Sequence, residues 1–201
     1  MIGQFRPWLA TEAYRLKPVQ KDTLFGSSNR ATKREKFMAT TGKSTSRSRT
    51  TSTDAIALLK ADHKQVEEWF SHFERSHSKS KKQQLASNIC ETLTIHTTIE
   101  EELFYPAFLK ATEDKDIHHE AVVEHQGAKK LIAEIQGMSS EDDYFAAKVA
   151  VLSEMIKHHV KEEEKVGGMF AEAKKSDMDL QALGRQLSAR KRELQSQAKA
   201  A

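Results

Sequence analysis

The sequence has 201 residues and a formal net charge of +3; 30% of the residues are charged, 38% are hydrophobic, and only 3 are proline and 8 glycine, a balance that favours helices over sheets. No window approaches the roughly 18 consecutive apolar residues of a membrane span, so no membrane partner is expected. The single cysteine, Cys90, excludes an intrachain disulfide; we therefore expect a cytoplasmic location and a buried packing role for this residue.

Residues 1–53 carry most of the positive charge, with 11 Lys/Arg against 3 Asp/Glu, whereas the remaining 148 residues carry 21 against 26. The stretch 39-ATTGKSTSRSRTTST-53 has no apolar period, so this segment is predicted to be a disordered tail. Three interpretations stay open: a nucleic-acid or membrane arm, an organelle transit peptide, or an over-extended gene start with Met38 as the true first residue. The tail contains no recognisable DNA-binding motif, so a nucleic-acid partner is not expected.

Two amphipathic helices are predicted next. The first starts at Asp54, capped by Ser52 or Thr53, and ends in the polar link 75-RSHSKSKK-82. Inward positions recur at intervals of three and four, as in a helix bundle. They are Ile56, Leu59, His63, Val66, Phe70 and Phe73 on the first helix, and Leu85, Ile89, Leu93, His96, Glu100, Leu103 and Ala107 on the second.

Two further helices show the same spacing. The third is predicted over about 117–136, and Ser139 or Ser140 is predicted to cap the fourth, which Gly167 and Gly168 weaken or end. Their inward positions are Ile117, Ala121, His125, Ala128, Ile132 and Ile135, then Phe145, Val149, Leu152, Ile156, His159, Glu163 and Val166. Short connections predict an all-α, up-down-up-down antiparallel four-helix bundle over residues 54–170.

The remaining segment, 171–201, contains one more amphipathic stretch, 176-SDMDLQALGRQLSARKREL-194. It is predicted to be a helix that packs along the bundle or against a second subunit, which leaves the oligomeric state open. Its cations Arg190, Lys191 and Arg192 are predicted to be solvated.

Histidine and glutamate interrupt all four inward faces. A buried charge costs several kcal/mol unless it is paired or bound to a metal. Twice a glutamate follows a histidine by four residues, which places both side chains one turn apart on one face; Glu67 repeats this spacing after His63, at the edge of the face. The candidate ligands are His63, Glu67, His96, Glu100, His125, His159 and Glu163.

Six or seven such ligands exceed what a structural zinc takes and suit two metals with bridging carboxylates. Iron is favoured over manganese or zinc, and a zinc-stabilised structural bundle is the alternative. Other acids near the ligands are predicted to be solvated or to orient the histidines: Glu101, Glu102, Glu162 and Glu164. The surface histidines are predicted to be His72, His77, His118 and His119.

Four segments together resemble the hemerythrin-like HHE cation-binding domain of bacteria: 54-DAIALLKADHKQVEEWF-70, 96-HTTIEEELFYPAF-108, 124-EHQGAKKLI-132 and 158-HHVKEEEKVGGMF-170. The resemblance implies a four-helix bundle that holds a non-haem di-iron centre, with two iron ions. It also implies the ligands His63, His96, Glu100, His125, His159 and Glu163.

The sequence departs from the oxygen-carrying hemerythrins at two positions. Lys129 stands where they have a second histidine on the third helix, and Glu163 stands where they have an aspartate. More carboxylate and less imidazole favours ferric iron, so reversible oxygen carriage is less secure. Glu67 is a candidate for the vacated coordination position.

We therefore expect a protein that binds or reacts with dioxygen or a related small oxidant, for sensing, sequestration or protection. One alternative is an enzyme that turns over peroxide or nitric oxide with Tyr105 as a redox neighbour, although a packing role is favoured for Tyr105. Another is a metal-sensing regulatory protein with a nucleic-acid-binding tail. A binding protein is favoured over an enzyme, because the sequence shows no phosphate loop or nucleophile elbow.

Overall fold

The computed structural model describes residues 54–200, which fold into helices without any strand. The helices are α1 (Ala55–Arg75), α2 (Lys79–Ile99), α3 (Tyr105–Thr112), α4 (Lys115–Gln136), α5 (Phe145–Glu164), α6 (Met169–Lys175) and α7 (Leu180–Ala200), with a π-helical segment (Glu100–Phe104) between α2 and α3. The predicted all-α bundle with an extra C-terminal helix is confirmed. The predicted disordered tail and the alternative start at Met38 lie outside the described residues.

Local caps set the ends of the first two helices. Asp54 is the N-cap of α1 and accepts a hydrogen bond from the Ala57 N–H at 2.8 Å, so the prediction of a cap at Ser52 or Thr53 is wrong. Ser78 caps α2 in the same way, which shortens the predicted 75–82 link to residues 76–78.

The start of α5 also differs from the prediction. The helix begins at Phe145 without a side-chain cap, so neither Ser139 nor Ser140 caps it. The Ser139 N–H instead donates to Asp142 Oδ2 at 2.8 Å and closes a turn before the helix.

The end of α5 and the start of α6 depend on backbone packing. Lys165 leaves the helical conformation directly after Glu164, and Val166 is 99% exposed, so the prediction that Val166 belongs to the inward face is wrong. A Cβ atom at Gly168 would lie 2.2 Å from the Glu162 carbonyl oxygen. Only glycine fits this close approach of backbone to backbone.

Two apolar clusters fill the bundle on either side of one polar layer. The first cluster contains Val66, Leu93, Ala128 and Ile156; the second contains Leu59, Ile99, Ala121 and Phe170. On α1 and α4 the chain runs from the second cluster through a histidine to the first, and on α2 and α5 it runs the opposite way. The four histidines therefore lie at one depth of an antiparallel bundle.

The π-helical segment changes which side chains face inward. A π turn closes from residue i to i+5 and so contains one residue more than an α-helical turn. This extra residue rotates the following side chains about the helix axis. Leu103 and Ala107, predicted to face inward, are only half-buried, whereas Phe104, Tyr105 and Phe108 are fully buried. The prediction of a regular α-helix here therefore places the buried face one residue too early in the sequence, at Leu103 and Ala107 instead of Phe104 and Phe108.

Helix α7 packs against α1, α2 and the π-helical segment through buried Leu183 and Leu187. Of the three consecutive cations Arg190, Lys191 and Arg192, only Arg192 is exposed as predicted. Arg190 pairs with Glu102 at 2.7 Å and Lys191 pairs with Asp62, so the prediction that these two are solvated is wrong.

We expect Gly168→Ala to lower the free energy of unfolding by about 1–3 kcal/mol, because the added methyl group meets the Glu162 and Glu163 carbonyl oxygens and must displace α6. Gly137→Ala is the control: its Cβ meets only ordinary contacts from 3.5 Å, and the substitution is expected to be neutral or stabilising by up to about 1 kcal/mol. Urea unfolding followed by circular dichroism measures both, and equal effects would contradict the packing at Gly168.

Candidate metal centre

The inner ring atoms of four buried histidines meet in two pairs. His63 Nε2 lies 3.2 Å from His96 Nε2, and His125 Nε2 lies 3.2 Å from His159 Nε2. Each histidine comes from a different helix of the bundle, as the inward spacing predicted.

Two buried glutamates link these pairs. Glu100 Oε2 lies 3.0 Å from His96 Nε2 and 3.4 Å from His125 Nε2. Glu163 approaches the other histidine of each pair, His63 at 3.5 Å and His159 at 3.6 Å. Each carboxylate therefore faces one histidine of each pair.

The carboxylate oxygens at the centre lack the hydrogen bonds that burial normally demands. Both oxygens of Glu100 and Oε2 of Glu163 are buried without a hydrogen-bond partner, although histidine nitrogens lie close to them. Unpaired buried carboxylates are strongly unfavourable unless a cation neutralises them. The donor atoms of His63, His96 and Glu100, and those of Glu100, His125 and His159, lie within 4.8 Å of one another. Their chemistry and spacing fit metal ions, with Glu100 common to both groups.

The carboxyl groups of the two buried glutamates have pKa values shifted in opposite directions. Burial and the neighbouring Glu100 carboxylate raise the pKa of Glu163 well above its usual value. Burial also opposes ionisation of Glu100, but His96 and His125 outweigh it and hold its pKa well below the usual range. Burial lowers the pKa of His96, whereas Glu100 and Asp62 raise it to about 10. Protons therefore balance the charge of the metal-free centre, and a bound metal takes their place.

An outer carboxylate faces the other ring nitrogen, Nδ1, of each histidine, and three of the four accept a hydrogen bond from it. Nδ1 lies 2.9 Å from Glu164 at His63, 3.0 Å from Glu101 at His125, and 2.8 Å from Glu124 at His159. At His96 the partner is Asp62, at 3.6 Å. In every case the carboxylate comes from a neighbouring helical element. A proton held at Nδ1 leaves the Nε2 lone pair free to bind metal.

The orienting role predicted for Glu101 and Glu164 agrees with this geometry, whereas Asp62 and Glu124 were not predicted. Glu102 and Glu162 instead pair with Arg190 and Lys165 at the surface. Asp62 directly precedes His63, and Glu124 directly precedes His125. Each acid therefore lies about 100° around its helix from the inward histidine. Nothing in the inward spacing identifies them.

Tyr105 lies at the centre and not at a helix-end packing position. Its hydroxyl group is 3.1 Å from His125 Nε2 and donates to Glu163 Oε1 at 3.4 Å. The residue is 1% exposed. Only the π-helical segment brings it inward, five residues after Glu100, and regular helical spacing gives no signal for it.

Comparison with known proteins places these observations in a family. The family model for the hemerythrin HHE cation-binding domain matches residues 54–170. The chain belongs to this family. The matched segment contains all four histidines, both inner glutamates and Tyr105.

Two relatives of this HHE domain protein bear on its fold and size. The crystal structure of an HHE cation-binding domain-containing protein, the Rv2633c homolog from Mycobacterium kansasii, superposes with a TM-score of 0.61 at 20% identity, covering 73% of this chain and 90% of that one. A DNA nickase from Nostoc sp. is 28% identical over 107 residues, which are 53% of this chain. The chain spans about 30% of the length of that nickase.

The structure does not bring Glu67 to the HHE centre. Its side chain is exposed, and it lines a cleft of about 330 Å³ between α1 and α5, together with His63 and Glu164. It belongs to neither donor group. The position of Glu67 thus gives no support to its predicted role as a ligand.

The predicted surface histidines are exposed with one exception. His72, His77 and His119 are exposed, whereas His118 is half-buried with its ring 5.8 Å from that of Tyr105. Within residues 54–200, no helix has the length and apolar character that crossing a membrane requires.

We expect Glu100→Gln to abolish metal uptake at both donor groups, because Glu100 is the carboxylate that they share. Glu67→Gln, which makes the same chemical change four residues after a ligand histidine, is expected to leave uptake unchanged. Metal analysis after anaerobic loading with iron(II) distinguishes the two variants. Full metal content in Glu100→Gln, or loss in Glu67→Gln, would contradict the donor set.

Proposed function

We propose that this chain holds two non-haem iron ions and binds or reacts with dioxygen or a related small oxidant, for sensing, sequestration or protection. The observation that carries the proposal is the arrangement of Glu100 and Glu163, each facing one histidine of each pair. Two carboxylates shared between two sets of imidazoles suit a pair of metals of the kind that mixed nitrogen and oxygen ligands favour. When bound, a pair of iron ions supplies two electrons to a small oxidant.

The protein's own residues contribute orientation and exclusion of water. The outer carboxylates fix the four imidazole rings, and Phe170 stacks on His63 with ring centroids 5.8 Å apart. The space between the histidines is a cavity of about 10 Å³, which is room for a molecule about the size of water. This size supports a small oxidant as the reactant.

A cleft supports access from the surface. The 330 Å³ cleft between α1 and α5 reaches His63, and Ile156 and Val160 line both this cleft and the inner cavity. Phe70, Ile156 and Val160 form the apolar part of its lining, and the rest is polar or charged.

The ratio of carboxylate to imidazole ligands supports sensing or protection over reversible oxygen transport. Lys129, where oxygen carriers have a histidine, points to the surface and pairs with Glu101 at 2.6 Å, so it adds no donor to the centre. Four imidazoles then share the centre with two buried carboxylates, whose negative charge favours ferric iron.

We expect the anaerobically loaded protein to contain two irons per chain and to develop ligand-to-iron charge-transfer bands when air is admitted. His63→Ala and His159→Ala, one from each pair, are expected to lower the iron content and weaken the bands. Bands that reverse on removal of oxygen would favour binding, and persistent bands would favour sensing or consumption. A colourless protein with a single zinc would contradict the proposal and support the structural alternative.

Peroxide turnover is the second candidate, and the buried Tyr105 hydroxyl group favours it. Burial and the Glu100 and Glu163 carboxylates raise the pKa of Tyr105 well above its usual value, so the phenol keeps its proton and acts as a donor. Disproportionation of two peroxide molecules to two waters and one dioxygen requires no other reductant.

We expect Tyr105→Phe to slow peroxide consumption by the iron-loaded protein by about 100-fold, because general-acid catalysis contributes this much. Iron content should stay unchanged, and Tyr144→Phe, which alters an exposed tyrosine, serves as the control. Turnover no faster than that of free iron in the unaltered protein would rule out this candidate.

A nucleic-acid function rests on weaker support, namely the charge of residues 1–53 and the similarity to the nickase from Nostoc sp.. Residues 54–201 carry more acidic than basic side chains, so their net negative charge does not attract the phosphate backbone of DNA. Salt-sensitive binding of duplex DNA that requires residues 1–53 would favour this function over the others.

A further inference from the structure

The outer carboxylates of the centre are themselves held by a second set of side chains. Glu164 pairs with Lys60 at 2.5 Å, Glu101 with Lys129 at 2.6 Å, and Glu124 with His158 at 3.2 Å. All these partners lie on the four helices of the bundle, within residues 54–170. Asp62, the fourth outer carboxylate, is different, because its partner Lys191 comes from α7, outside the segment that the family model matches.

Asp62 depends on this partner more than the other carboxylates depend on theirs. It is 7% exposed, so water cannot neutralise it well. Its Oδ2 faces His96 Nδ1 at 3.6 Å, and neither of these two atoms has a hydrogen-bond partner. Lys191 donates a hydrogen bond to the other oxygen, Oδ1, and this hydrogen bond fixes the carboxylate.

A neighbouring residue of α7 holds the other side of the same donor group. Arg190 donates two hydrogen bonds to Glu102, at 2.7 and 3.0 Å. Glu102 belongs to the π-helical segment, two residues after Glu100. One turn of α7 thus contacts both the acid that faces His96 and the segment that carries Glu100.

We infer that α7 is part of the metal centre, and that Lys191 is a positioning residue which holds Asp62 against His96 and so fixes the donor group of His63, His96 and Glu100. The inference rests on the proposed function. It gives the outer carboxylates different supports: those of His125 and His159 pair with side chains of the bundle, whereas that of His96 pairs with the C-terminal helix.

Lys191→Met tests this role in the full-length chain loaded with cobalt(II), whose visible absorption reports on each bound ion. After addition of excess EDTA, we expect one of the two cobalt ions to leave about tenfold faster than in the unaltered protein, because outer-shell partners contribute 10- to 100-fold to metal affinity. The second ion should leave at the unaltered rate. Lys191→Arg keeps a cation beside Asp62 and should restore slow release.

Lys148→Met is the matched control. It removes an ion pair between α5 and Glu134 of α4 at 2.8 Å, with a similarly exposed lysine, at the surface. Thermal unfolding of the metal-free variants identifies any purely structural effect.

Faster release of one ion in Lys191→Met, with rescue by arginine and no effect of Lys148→Met, would support the inference. Release at the unaltered rate would overturn it, as would equal acceleration of both ions in proportion to lost thermal stability. Unaltered protein that takes up no cobalt would overturn the proposed function as well, so the two failures are distinguishable.

Discussion

The burial of two carboxylates inside a helical bundle is the constraint on which the rest of this structure depends. Glu100 and Glu163 are almost completely inaccessible to solvent, and each faces histidine nitrogens that offer lone pairs when neutral. Such an arrangement is stable only with positive charge at its centre, supplied by protons in the metal-free protein and by metal in the loaded one. Membership of the hemerythrin HHE family is consistent with this requirement.

The fold meets this constraint by placing the polar layer between two apolar clusters. Each histidine receives its outer carboxylate from a neighbouring helical element, so the ligands also tie the helices to one another around the bundle. Because α7 supplies the partner of one outer carboxylate, the C-terminal helix joins this network. Metal binding and packing of the helices are therefore expected to stabilise one another.

The sequence predicted the bundle and the buried positions of the four histidines because both follow one rule. Inward positions at intervals of three and four identify a buried face, and His63, His96, His125 and His159 are conspicuous on it because they are polar. The same rule fails where the backbone departs from a regular α-helix. It misplaces Leu103 and Val166, and it cannot find Tyr105, which a π turn rotates inward. It also says nothing about contacts between helices, so the roles of Asp62, Glu124 and Lys191 required the structure.

The most direct test of a two-metal centre is anomalous diffraction from crystals of the iron-loaded protein, measured at the iron edge. We predict two peaks about 3.5–4 Å apart, the usual spacing of paired metal sites. One peak should lie beside His63 and His96 and the other beside His125 and His159, with Glu100 between them. A single peak, or a peak only at the exposed group of Glu120, Glu124 and His158, would contradict it.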